Sequence, residues 1–115
     1  MRIPLEAIIA SEKLTRYLLV FRVEDDKSKF LANIGYTLEN PDALEAALRR
    51  HIAAFDAEAQ KTNAYGTFYE VRGQLEGTNE RILDIISIWL HEAATGDFRF
   101  ITLKGWRRTE PDDQT

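Results

Sequence analysis

Five residues in the second half of the chain carry side chains that could run acid–base chemistry beside a phosphate: Glu70, Arg72, His91, Thr102 and Lys104. A carboxylate or an imidazole can move a proton. An arginine and a lysine together can hold a phosphate, the arginine through two parallel N–H bonds. Near them in sequence stand Ser87, a second hydroxyl, and Phe68, Trp89 and Phe100, whose flat rings can stack bases. Together these groups describe an RNA-binding or RNA-cleaving surface, with Glu70 or His91 as base and Arg72 and Lys104 against a pentavalent phosphate. The same residues also fit an ordinary exposed sheet face, because mixed polar and aromatic cross-strand pairs stabilise sheets. As a contiguous aromatic patch they equally suit a dimer or partner interface.

Strands must position these groups. Tyr69, Val71 and Leu75 alternate with Phe68, Glu70, Arg72 and Gln74, which predicts a half-buried strand. Gly77-Thr78-Asn79-Glu80 reads as a turn, 81–91 as a second strand, 93–96 as a turn and 97–104 as a third strand. Centring the first turn on Thr78-Asn79 sets Leu75 opposite Ile82, Val71 opposite Ile86 and Tyr69 opposite Ile88. Setting Glu92 opposite Asp97 places Ile88 against Ile101 and Ile86 against Leu103. That register gathers the aliphatics on one face, and a one-residue slip would flip every side chain. It leaves three rows on the other face: Phe68, Trp89, Phe100; Glu70, Ser87, Thr102; and Arg72, Ile85, Lys104. His91 and Phe98 fall near one end. On this reading Ile86 is core, and Ile86→Ala costs about 2–5 kcal/mol. Gly73 within the first strand marks a bulge or a close backbone approach.

The first half of the chain is helical. Ser11 can cap a helix over 12–20, with Leu14, Tyr17 and Leu18 on one face. Asp25 or Asp26 can cap a second helix holding Phe30, Leu31 and Ile34, stopped by Gly35. Asn40-Pro41-Asp42 is a strong start signal for a third helix, running to about Ala57 with Leu44, Leu48, Ile52 and Phe55 as its apolar stripe. His51 borders that stripe and reads as a boundary residue. Residues 60–64 are polar and read as a loop. Helices followed by a strand meander predict an α+β fold, with N-terminal helices on one face of a three-stranded antiparallel sheet. The apolar Arg2 to Ile9 segment could pair as a further edge strand. The expected organisation is one domain over 1–106 and a charged tail over 107–115.

Composition narrows the chemistry. The 115 residues are 44% hydrophobic and 30% charged, a balance that buries a core and excludes disorder. Cysteine is absent, which excludes disulfides, thiol nucleophiles and zinc–thiolate sites. The two histidines, His51 and His91, have no metal-ligand spacing, so neither a metal nor a cofactor is expected. No apolar run approaches the roughly 20 residues that span a bilayer, and no signal-peptide pattern opens the chain. A cytoplasmic location is the expectation. The net charge of −4 argues against non-specific nucleic-acid binding, which runs on phosphate neutralisation.

Several residues also carry a family likeness. They are Lys13-Leu14, Tyr17-Leu18-Leu19, Lys27, Phe30-Leu31, Ile34-Gly35-Tyr36, Leu44, Leu48, Tyr65-Gly66, Tyr69, Val71, Gly73, Leu75, Gly77, Ile88-Trp89 and Ile101-Thr102. Over residues 11–104 this pattern resembles a bacterial domain family of unknown function. Its members are short stand-alone proteins or C-terminal domains, some in toxin–antitoxin neighbourhoods. The order of elements is also similar to that of barnase-like, colicin-like and RelE-like ribonucleases. That likeness implies a site built from a helix lysine and polar sheet residues, here Lys27, Arg72 and Thr102, with Glu70 or His91 as acid–base groups. One departure is that Thr102 runs on into Leu103-Lys104-Gly105-Trp106, where the family pattern has a Thr-aromatic-Pro stop. The reading is therefore a small interaction module that works through its open sheet face or the edge of its last strand. Its partner would be another protein or a second copy, in a toxin–antitoxin-like setting. The alternative is a metal-independent ribonuclease toxin acting on RNA.

Overall fold

The computed structural model describes residues 1–19 and 27–106. The element order is α1 (Ser11–Lys13), a π-helical turn (Leu14–Leu18), α2 (Ser28–Asn33), α3 (Pro41–Ala54), β1 (Ala57–Asn63), β2 (Gly66–Glu76), β3 (Ile82–Glu92) and β4 (Phe98–Gly105). The expected cap at Asp25 or Asp26 and the tail over 107–115 lie outside the described residues.

The start of α3 follows its sequence signal, with Pro41 in the first turn and Asp42 beside it. Asn40 works differently from a capping side chain. Its Oδ1 accepts from the Thr37 N–H at 2.8 Å and its Nδ2 donates to the Gly35 carbonyl at 2.9 Å, so it ties the preceding loop. Leu44, Leu48 and Ile52 recur every four residues and are buried, as one face of a helix should be. The helix stops three residues short of the expected Ala57. There Phe55 turns extended and the Ala57 N–H donates to the Met1 carbonyl at 2.6 Å. Gly35 adopts φ +97°, the left-handed value expected of a helix stop.

The sheet has four strands rather than three, all antiparallel, in the order β1-β2-β3-β4. β1 occupies the segment read as a loop. Only Ala57 in it is buried, so no apolar alternation announced it. Pairing makes the strand: Ala57 lies opposite Val71, Glu58 opposite Glu70 and Ala59 opposite Tyr69, with a shift between Ala59 and Thr62. The Arg2 to Ile9 segment does reach an edge, but through one parallel bridge. Ile8 N–H donates to Phe98 O and Phe100 N–H donates to Ile8 O, both at 2.8 Å. Arg49 holds this segment against α3 through the carbonyls of Leu5 and Ala7.

Register corrects the expected faces. Leu75 lies opposite Leu83, Val71 opposite Ser87 and Tyr69 opposite Trp89, one residue away from expectation throughout. The cause is a longer turn, closed by Gly77 N–H to Arg81 O with Glu80 at φ 68°. The second hairpin holds its expected register from Glu92 to Trp89. It then slips at a bulge, so that Trp89 faces Phe100 but Ile88 faces Thr102. The helix-facing side therefore carries Val71, Leu75, Ile85, Trp89, Phe100 and Leu103, all packed in one cluster with Leu14, Leu18, Leu31, Leu44, Leu48 and Ile52. Ile86 is buried at 8% exposed as expected, but it points away from this cluster, so its expected place beneath the helices is overturned. Gly73 marks a close approach without a bulge: a Cβ there would meet the Phe55 ring at 2.4 Å.

Candidate functional site

The face of the sheet opposite the helices presents three cross-strand rows. They are Phe68, Leu90, Arg99; Glu70, Ile88, Thr102; and Arg72, Ile86, Lys104. Two one-residue slips cancel, so Glu70 shares a row with Thr102, and Arg72 with Lys104, as the sequence suggested. The middle member of each row is aliphatic. Ile86 and Leu90 are each 8% exposed yet lie outside the core cluster, and Ile88 is half-buried. Their row neighbours include Arg72, Arg99 and Lys104, side chains whose stems suit apolar surface while their heads stay in water. Arg72 donates to Glu70 at 3.1 Å, an ion pair with 46% and 19% side-chain exposure. Exposed pairs of this kind contribute at most about 1 kcal/mol, but this one occupies both the expected base and the expected cation. A depression of about 460 Å³ lies beside them, lined by Gln60, Lys61, Phe68, Glu70 and Ile88.

Four of the expected site residues lie elsewhere. Trp89 and Phe100 are fully buried on the helix side, edge to face with centroids 5.2 Å apart. The slipped register of β3 turns Trp89 inward, and Phe100 follows because it keeps its pairing with Trp89; the β4 bulge beyond it turns Thr102 back to the open face. Ser87, also fully buried, accepts from Trp89 Nε1 at 2.9 Å. His91 stacks flat on Phe98 at 4.2 Å, on the same side as Trp89, so the sheet separates it from Glu70 and Arg72. His51 is the residue sequence reasoning undervalued. It is 2% exposed, with Nε2 2.9 Å from Ser87 Oγ and Nδ1 3.1 Å from the Gln74 carbonyl.

A second location gathers Thr102 and, through Tyr17, Lys27. A cleft of about 410 Å³ lies between the first helical segment and β4, lined by Ala10, Glu12, Lys13, Tyr17, Ile101 and Thr102. Lys27 is 8% exposed, with its ammonium 5.9 Å from the centroid of the Tyr17 ring, within cation–π range. Two backbone irregularities frame the cleft. Tyr17 sits in the π-turn, where Leu19 N–H reaches Leu14 O, and Ile101 is the extra residue of the β4 bulge. Both features concentrate at functional sites. Among the described residues no group of three potential metal ligands converges. No helix among them is long and apolar enough to cross a membrane.

The architecture is thus α+β, a four-stranded antiparallel open sheet with helices on one face. Within that class the chain belongs to the DUF6883 family, a domain of unknown function, whose profile matches residues 5–105. A chain of a contact-dependent growth inhibition toxin–immunity protein complex from Klebsiella pneumoniae 342 has a similar structure. Its TM-score is 0.63 at 16% identity, covering 89% of this chain and 95% of that one. At that identity the likeness is one of fold. No curated protein matches.

Proposed function

We propose that the chain is a protein-binding domain of the toxin–immunity kind, and that it meets its partner with the open face of its sheet. The observation that carries this reading is half-buried Ile88 and Phe68 beside the depression of about 460 Å³, above the covered Ile86 and Leu90 of the same stripe and bordered by Arg72, Glu70, Arg99 and Lys104. An apolar centre inside a polar rim is the usual anatomy of a protein interface. The edges suit docking less well. Ile8 already bonds β4 at Phe98 and Phe100, and β1 carries Lys61 and a register shift, both of which discourage strand addition. The fold shared with a chain of a toxin–immunity complex supports a partner of this kind. The test is binding to the product of the adjacent gene. Ile88→Asp should weaken binding at least about 30-fold, the loss of a central hot spot. Its stability should fall by about 1–2 kcal/mol, since Ile88 is half-buried and aspartate suits a strand poorly, so binding is compared at matched folded concentration. Unchanged affinity would remove the face from the interface.

A second reading rests on the cleft. Metal-independent RNA cleavage needs a base, an acid and a cation at the phosphate. Lys27 and Lys13 would supply the cation, Glu12 a carboxylate and Thr102 a hydroxyl to the substrate. Arg72 and Glu70 would then serve only to guide the strand. Purified protein in excess chelator should in that case fragment total RNA, and Lys27→Ala, checked for native circular dichroism, should abolish this while Ile88→Asp leaves it unchanged. Intact RNA with the wild type would exclude the reading.

A further inference from the structure

The docking face and the cleft leave a buried imidazole unused. His51 of α3 reaches across the core to the two central strands. The Gln74 carbonyl can only accept, so His51 Nδ1 must carry the proton that fills that 3.1 Å bond. Gln74 lies beyond the end of β1, whose pairing begins with Ala57 opposite Val71, so His51 takes the place of a strand neighbour there. With Nδ1 protonated, the neutral ring offers Nε2 as an acceptor. Ser87 Oγ, 2.9 Å away, therefore donates to it and accepts from Trp89 Nε1. The hydrogen bonds run in one direction, from Trp89 through Ser87 and His51 to Gln74. A second proton on His51 would reverse the central bond and leave the Ser87 hydrogen without that acceptor, in a fully buried position.

Ser87 sits on β3 between Ile86 and Ile88, two of the three residues of the aliphatic stripe, which point the other way. We propose that His51 is an acid-sensitive latch that fastens β3 to α3 and so sets the order of the docking stripe on the opposite face. The link to docking rests on the reading above, whereas the latch itself does not. Solvent has a route to it. A cleft of about 240 Å³ between α3 and β2 is lined by His51, Phe55 and Gln74, with Arg50 and Glu76 at 3.5 Å from each other beside it. From the loop before α3, Tyr36 bonds the Glu76 carbonyl. No carboxylate bonds the imidazole; its neighbours are Ser87 and the strand backbone. Burial holds the His51 pKa below its ordinary 6.5, against a smaller upward pull from the backbone bonds to Gln74 and Val71.

The sign follows from linkage. Below about pH 6.5 the unfolded chain takes up a proton that the folded chain refuses, so stability falls as pH drops from there toward the lowered folded value. The limit for one proton is a tenfold loss in the folding constant per pH unit. The shifted carboxylates, Asp56 and Glu92, are both moved downward and act in a more acidic range. The test uses the free 115-residue chain with His91→Asn, so that a single imidazole titrates. Amide exchange at Ile86 to Ile88 should slow about three- to tenfold less between pH 7 and pH 5 than the intrinsic rate does, the excess that lost protection produces. His51→Gln, which keeps a donor and an acceptor but takes up no proton, should remove that excess. An equal excess in His51→Gln would overturn the proposal. If His51→Gln fails to fold, imidazole nitrogen NMR on the parent chain decides. A neutral Nδ1–H tautomer that titrates below 6.5 supports the latch, and an Nε2–H tautomer or titration at or above 6.5 refutes it. With no partner in the assay, failure here is distinct from failure of the docking reading.

Discussion

Trp89→Ala should cost about 3–5 kcal/mol of folding stability, the usual range for truncating a buried aromatic. Three contributions add at this site. The indole is fully buried, which makes it one of the largest apolar surfaces the core removes from water. Its ring meets Phe100 edge to face at 5.2 Å, an arrangement worth roughly 0.5–1.5 kcal/mol beyond area alone. Its N–H fills one acceptor position of Ser87, and an unmet polar group in so dry a place costs about 1–3 kcal/mol. Domains of this size are stable by only about 5–15 kcal/mol, so the variant should sit close to its unfolding midpoint in mild denaturant. Urea titration followed by far-ultraviolet circular dichroism gives the measurement. A loss below about 1 kcal/mol would return Trp89 to the open face.

Ile85→Ala and Ile86→Ala form the second comparison, and together they report the register. Ile85 is fully buried in the main cluster, so its truncation should remove about 2–5 kcal/mol, transfer and cavity terms combined. Ile86 is nearly as hidden, at 8% exposed, but beneath Arg72 and Lys104 instead of the helices. Water and flexible side chains fill the space left there, so the cavity term largely vanishes and about 1–2 kcal/mol remains. Equal losses, or a larger loss at Ile86, would invert the strand.

The same pair shows why part of the fold could be read from sequence and part could not. α3 was legible because Asn40-Pro41-Asp42 and the spacing of Leu44, Leu48 and Ile52 agree with each other. β3 was legible as a strand but not as to its faces, because Ile85 and Ile86 both suit a core. The decision lay in a turn one residue longer than assumed, with Glu80 in a left-handed conformation that its residue type does not advertise. β1 gave no signal because an edge strand that buries only Ala57 has no reason to alternate. At the candidate site, Glu70 and Arg72 fall on the expected face because β2 alternates as read, whereas Thr102 and Lys104 do so only because two slips cancel. His51 looked marginal on its helix, and nothing local said that Ser87 would stand opposite it. The burial of Lys27 against Tyr17 depends on how the first helical segment docks, which no periodicity encodes.

The bridge between Ile8 and β4 bears on how the chain leaves the ribosome. The partners of Ile8, Phe98 and Phe100, emerge about ninety residues after it. At roughly 5–20 residues per second, Ile8 waits on the order of 5–20 s for the strand it must meet. The Met1 carbonyl likewise waits for Ala57. Helices and the β2–β3 hairpin can form during synthesis, but this seam closes only after Phe98 and Phe100 are out. Until then the aliphatic stripe lies on a sheet without its final strand, when a nascent chain is most open to a chaperone, or to a binding partner made alongside it.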